Sequence, residues 1–322
     1  MKKSAFVLAL ATALAPVASS YAAEAFPSRP IRLIVPSGAG GVTDILARVI
    51  AEKLSESIGQ QVIVDNRPGA SGIVGSQIVA SATPDGHTLL MVFPSHTVNP
   101  SLYRSIPYDT AKAFAPITMV SSVAPVLLVS AKSPVRNVQE LIDLAKAKPG
   151  TLNHGSVGSG SMGSLGAELL RSLAGIQFTQ VAYKGSPQAL TAVISGEIDF
   201  YLMGSVGTAA NQVKAGRVRA LGVGAKERVA ALPDVPPIAE TVPGYEARGW
   251  NGILAPAGTP KAIVDQLNSE LVKIIRSPEF GKILSREGAT PVGNTPAEFQ
   301  AVIRADLAKW SKIIKESGIK AQ

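Results

Sequence analysis

The 322-residue chain has no cysteine, which excludes disulfides, thiol nucleophiles and Cys-based metal sites together. It also removes the residue to which a lipid anchor would be attached. Histidine is scarce: His87, His96 and His154 lie far apart, and neither HxxxH nor HExxH spacing occurs, so the helical zinc-site pattern is missing. GxSxG is absent too, and with it the nucleophile elbow of α/β-hydrolases. Aromatic residues make up only 5% of the chain, too few for a base-stacking platform. The basic residues are scattered rather than gathered in an arm, so nucleic acid is not an expected partner. The N-terminal uncharged, largely apolar stretch, residues 5–18, is shorter than the ~20 residues a spanning helix needs.

That stretch follows Lys2 and Lys3 and precedes small residues, with cleavage expected after Ala22 or Ala25. The layout is that of a secretory signal peptide covering residues 1–25. The rest is too long for one compact core, so two lobes are expected. Thirty-one basic residues against 23 acidic ones give a net charge of +8, a mild general attraction for small anions.

Short apolar runs alternate with longer amphipathic ones, the pattern of an α/β protein with parallel strands. Strands are predicted at 31–35, 61–65 and 88–93, with helices at 43–54 and 72–82 between them. Residues 117–129 are apolar and extended and form the expected crossing into a second lobe. Its strands are predicted at 152–157, 178–182, 199–203 and 218–223, and its helices at 138–147, 164–173, 186–194 and 208–215. Pro233, Pro236, Pro237 and Pro243 mark the return crossing. A short strand at 252–255 and helices at 261–275 and 296–316 then close the chain. The expected division is 26–120 plus 225–322 for lobe 1 and 121–224 for lobe 2, with the last helix able to pack across.

Residues 34–66 and 152–184 both read strand, Gly/Ser loop, helix, glycine, strand. In the first loop, Ser37, Gly38, Ala39, Gly40 and Gly41 precede Thr43 and Asp44. Glycines let a backbone approach a ligand closely, and a helix N-terminus offers unpaired N–H groups to a carboxylate or phosphate. In open α/β sheets such a loop borders the ligand crevice. A tight strand-to-helix turn capped by Thr43 or Asp44 fits the same residues. The second loop carries Ser156, Gly158, Ser159, Gly160, Ser161, Met162, Gly163 and Ser164. Gly158, Gly160 and Gly163 spell the dinucleotide fingerprint GxGxxG, but that fingerprint wants an acid at the end of the next strand. Residues 178–182 contain none, which argues against a nucleotide-dependent enzyme.

Ser95 and His96 end a predicted strand on the cleft side, where His96 is either a pocket residue or a structural histidine. Asp44, Arg48, Asp65 and Arg67 flank the first lobe's loops. Their charges suit caps and a solvated rim or, for an arginine, a bidentate hold on a carboxylate. Lys184 leaves the same choice open, and Trp250 suits a packing anchor or a pocket wall.

The segments Arg29-Pro30-Ile31-Arg32-Leu33-Ile34-Val35-Pro36, Val64-Asp65-Asn66-Arg67-Pro68-Gly69-Ala70, Pro84-Asp85-Gly86 and Asn99-Pro100-Ser101-Leu102-Tyr103 follow one another in order. So do Tyr183-Lys184-Gly185, Leu232-Pro233-Asp234-Val235-Pro236 and Ala255-Pro256-Ala257-Gly258-Thr259-Pro260. Together they resemble the tripartite tricarboxylate transporter receptors, also called Bug receptors, along nearly the whole chain after residue 25. The resemblance implies a type II-like periplasmic-binding fold of two lobes, each an open, mostly parallel sheet flanked by helices. It implies a free monomer in the periplasm that binds a small carboxylate and closes by a hinge, with no catalysis, cofactor or metal. The implied partner is a membrane permease, or a membrane kinase if the protein serves sensing.

Carried over, it assigns Ser37 to Thr43 with Asp44, and Ser156 to Ser164, to the pocket, and Tyr183 and Gly204 belong to the expected lining. Ser37 stands where such receptors commonly carry an aromatic residue, Ser164 where they carry histidine, and Gly204 where an acid often follows the strand.

Overall fold

In a computed structural model of the protein, residues 26–158, 161–286 and 289–317 are described. The expected signal peptide lies outside them. The chain opens with a β-α-β-α-β unit: β1 (Ile31–Val35), α1 (Val42–Ile58), β2 (Val62–Asn66), α2 (Ile73–Ala80) and β3 (Thr88–Val92). A helix not foreseen from sequence, α3 (Ser95–Leu102), follows despite Pro100 inside it. Then β4 (Phe114–Val123) leads out of the first lobe.

The second lobe comprises β5 (Val126–Ser130), α4 (Val138–Ala147), β6 (Asn153–Ser156), α5 (Met162–Ala174), β7 (Thr179–Ala182), α6 (Ser186–Ser195), β8 (Tyr201–Met203), α7 (Val206–Lys214) and β9 (Val218–Val223). The chain returns on β10 (Gly249–Pro256) and ends with α8 (Lys261–Ile275), α9 (Pro278–Arg286), β11 (Thr290–Pro291) and α10 (Pro296–Ser317).

One six-stranded sheet runs β11-β4-β10-β3-β1-β2, and the second lobe holds β8-β5-β9 and β6-β7. A parallel bridge between His154 and Phe200 ties the last two groups together. β1 pairs parallel with β2 and β3, and β6 with β7. The strands that enter from the neighbouring lobe are antiparallel: β10 to β3 and β4, and β5 to β8 and β9. Parallel neighbours need a long crossover, usually a helix; a strand arriving straight from the other lobe has none.

The apolar run at 117–129 is therefore two strands in two sheets, broken at Ala124-Pro125 where proline has no N–H for a ladder. Pro125 O instead accepts from Gly224 N at 2.8 Å, and Ala247 N donates to Gly224 O at 3.0 Å. The outgoing and returning chains meet here so closely that a Cβ on Gly224 would lie 2.7 Å from Ala247 O and 2.8 Å from Pro125 Cδ.

The last helix packs on both lobes. Phe299 and Ile303 lie in a first-lobe cluster with Trp250, while Trp310, Ile313 and Ile314 lie in the main second-lobe cluster with Leu165 and Leu169. Gly252 makes room for the Phe299 ring, 2.2 Å from where its Cβ would sit. Asp306 accepts from the Trp250 indole N–H at 2.7 Å. No helix among the described residues is long and apolar enough to cross a membrane.

Candidate functional site

The first loop is built around a buried carboxylate. Asp44 is 2% exposed. It accepts from Gly40 N (2.9 Å), Arg48 Nε (3.0 Å) and Asn66 Nδ2 (2.9 Å). Burial would raise its pKa, but hydrogen bonds from Arg48, Gly40 and Asn66 and the Arg48 charge together hold it below the usual carboxylate value. Asn66 also donates to Ser37 O at 3.2 Å, and Gly40 turns with φ of +84°, a conformation glycine reaches without strain. Asp65 is engaged with Arg32 and Arg67. The charges around this loop thus bind one another, and Asp44 positions the loop with both its oxygens in use.

α1 begins at Gly41 with no side-chain cap, so the first N–H groups of a 17-residue helix remain without an intrahelical partner. Thr43 turns its hydroxyl to Asn251 Oδ1 at 3.0 Å, and Asn251 Nδ2 donates to Ser121 Oγ at 3.2 Å. These two bonds fasten the start of α1 to the crossing strands.

In the second loop the serines serve one another. Ser156 Oγ and Ser164 Oγ lie 2.7 Å apart, and Ser161 Oγ is 3.0 Å from Ser164 Oγ and caps Ser164 N at 3.3 Å. Ser164 is 1% exposed. Gly158 takes φ of +119°. Gly163 packs so closely on β8 that a Cβ there would sit 2.1 Å from Leu202 O, the helix-to-strand role of the third glycine in the dinucleotide fingerprint. Ser159 and Gly160 lie outside the described residues.

Between the lobes is a cavity of about 230 Å³. Lobe 1 contributes Val42, Thr43, Phe93 and Pro94, the crossing strands Val123, Gly249, Trp250 and Asn251, and lobe 2 Met162, Gly204 and Ser205; Ala289 completes it. None of these side chains is charged. Four helix starts reach the cavity: Val42 is the first residue of α1, Met162 the first of α5, and Pro94 and Ser205 are the caps of α3 and α7. Helix N-termini carry the positive end of the dipole and suit an anion.

Of the residues anticipated from sequence, Thr43, Met162 and Gly204 line this cavity. Ser37, Gly38, Ala39, Gly40 and Gly41 form the turn leading to it. Ser95 bonds Ser71 O at 2.8 Å. His96 is buried edge-to-face on Phe114, ring centroids 5.1 Å apart, with neither nitrogen partnered. Tyr183 bonds Glu197 at 3.0 Å, and neither it nor His96 is among the lining residues. Ser205 was missed, although its place after a predicted strand and three residues before Thr208 is a capping signal. Asn251 sits inside a strand, and no local signal marks it. Among the described residues no cluster of three or more His, Asp or Glu is placed to hold a metal.

Two lobes joined by crossing strands, with a crevice between them and no charged side chain among its described lining residues, suit a binding protein. Residues 46–319 match the family described as the tripartite tricarboxylate transporter family receptor. The chain belongs to this family. Its members are substrate-binding receptors, not enzymes. Protein BugT of Bordetella pertussis is 33% identical over 319 residues, covering 98% of this receptor and 97% of BugT. R. palustris Rpa4515, solved with adipate, is 36% identical with a TM-score of 0.76, covering 92% of this chain and all of that one. MatC from Rhodopseudomonas palustris, with bound malate, is 28% identical with a TM-score of 0.72 and covers 90% and 100%.

Proposed function

We propose that this receptor captures a small carboxylate with an apolar body outside the cytoplasm and hands it to a membrane permease. The observation that carries the proposal is the cavity: four helix starts reach it and none of its described lining residues is charged. An anion there is held by N–H groups and helix dipoles. Val42, Phe93, Pro94, Val123, Met162 and Trp250 offer the remainder of the ligand an apolar surface. The carboxylates in Rpa4515 and MatC and the expected signal peptide support the reading, and the latter supports a periplasmic location. The first-lobe turn from Ser37 to Gly41 and the start of α1 would present the N–H groups, except that of Gly40, which Asp44 holds and so keeps the turn in shape. The lobes, divided where β4 passes to β5 and where the chain re-enters β10, would close about that crossing and exclude water from the ligand.

A thermal-shift screen of aliphatic monoacids, diacids, aromatic acids, acidic amino acids and citrate tests this. A ligand that binds only the folded state stabilises it by RT ln(1+[L]/Kd). Acids with an apolar body should raise Tm by several degrees at millimolar concentration, and citrate should not. If no acid raises Tm in protein freed of co-purified ligand by unfolding and refolding, the proposal fails.

A further inference from the structure

The turn Gly69-Ala70-Ser71-Gly72 runs through four consecutive positive φ angles, +141°, +44°, +53° and +93°. Glycine takes such angles freely, but Ala70 and Ser71 hold them only under strain. Both residues are exposed, so burial of their side chains does not fix the conformation. The turn is held instead from α3. Ser71 O accepts from Ser95 Oγ at 2.8 Å and from Asn99 Nδ2 at 3.1 Å, and Ser71 Oγ lies 3.0 Å from the Tyr103 hydroxyl. Ser95 and Asn99 are four residues apart and share a face of the helix. Val98 and Leu102 share another, which packs in the cluster that holds Leu165 and Trp310. α3 is thus seated by its apolar face while its polar face grips the turn.

Asn99 is 2% exposed, and its Oδ1 has no hydrogen-bond partner among the described residues. A buried acceptor left unpaired is costly, so an apolar side chain would suit this position better if packing were its only task. What the amide supplies is the bond to Ser71 O. The turn in its place backs the crevice. A Cβ on Gly72 would lie 3.4 Å from both the Phe93 ring and Pro36 Cβ, and one on Gly75 would lie 2.7 Å from Pro36 Cβ. Phe93 lines the uncharged cavity, and Pro36 leads into the Ser37–Gly41 turn. We propose that Asn99, which is not among the lining residues, is a positioning residue for ligand binding. It keeps the strained turn in the shape against which Phe93 and Pro36 are set. This rests on the cavity being the ligand site.

The test is hydrogen exchange of the ligand-free protein, with titration of the acids in the screen above. The amide of Gly72 is bonded to Gly69 O and that of Gly40 to Asp44, so both report on the two turns. N99A should speed exchange at least tenfold at Gly72 and threefold at Gly40, and weaken any acid that binds at least tenfold. Ala70→Gly relieves strain, so N99A/A70G should recover at least threefold in each readout. A merely structural asparagine would give no such rescue, because glycine would only loosen the turn further. A70V places a β-branched residue at positive φ and should act as N99A does; it decides the matter if N99A does not fold. Unchanged exchange at Gly40 in N99A or A70V, or an N99A/A70G variant no better than N99A, overturns the inference. If no acid binds, the exchange data still decide it, and only the carboxylate reading fails.

Discussion

Acidification from pH 7 to 4.5 should remove on the order of 5 kcal/mol of stability, well before most carboxylates are protonated. Two histidines are responsible. His154 is 0% exposed. It lies among Phe178, Phe200 and Tyr201, with Nε2 accepting from Leu202 N at 3.4 Å. Burial, with the nearby Arg171 charge, lowers its pKa to about 3; burial alone lowers that of His96 to about 4. Both folded values lie below the unfolded value near 6.5. The fold therefore favours the neutral rings, and unfolding takes up protons.

Their contribution is complete above about pH 6.5 and is lost as pH falls toward 4 for His96 and 3 for His154. The slope is about 1.4 kcal/mol per pH unit for each ring. Glu168 opposes this, because burial raises its pKa despite Arg171 and Gln180. Asp44, Asp65 and Asp85, each held below the usual value, add their loss only below about pH 4. Urea midpoints measured between pH 7.5 and 4.5 check the effect. H154F, which cannot be protonated, should roughly halve the slope. A flat profile over that range would show that neither ring is buried as described.

Gly163→Ala should be the most damaging single methyl in the molecule. Its Cβ would meet a backbone oxygen of β8 at 2.1 Å, and neither partner is a flexible side-chain end. The neighbouring turn of α5 has no slack: a Cβ on Gly166 would lie 3.0 Å from the Tyr245 hydroxyl and 3.1 Å from Leu202 Cδ2. Overpacking costs ~1–3 kcal/mol where side chains can yield, and a backbone clash belongs at the upper end or beyond it. A loss of ~3 kcal/mol should lower Tm by roughly 6–12 °C. The start of α5, with Met162 at the cavity, would shift with it, so ligand binding should fall by more than tenfold. Gly281→Ala is the control, since its Cβ meets nothing within 4 Å. In the middle of α9 it should stabilise by ~0.5–1 kcal/mol. Equal melting of the two variants would contradict the packing described for α5.

The opening β-α-β-α-β elements of the first lobe were readable because each obeys a local rule. β1 was predicted at residues 31–35 and observed there, since a buried parallel strand reads as an unbroken apolar run. α3 was hidden by Pro100, which sits inside it against the usual expectation. The break at Ala124-Pro125 was blurred because both strands it separates are apolar. The site was less legible than the fold. Hydroxyls and charges near a loop read as free for a ligand, yet Ser156, Ser161 and Ser164 bond one another, and the Asp44 carboxylate accepts from Gly40, Arg48 and Asn66. Ser205 and Asn251 come from α7's cap and the returning strand. They reach the crevice only once the chain has gone out and returned, an arrangement no local spacing encodes.

The central claim is that the crevice selects an anion through neutral donors. The most direct measurement is a calorimetric titration with the tightest-binding acid from the screen and with its carboxamide of the same shape. The account predicts one-to-one binding of the acid, with the amide at least a hundredfold weaker. An amide that binds as tightly as the acid would contradict it.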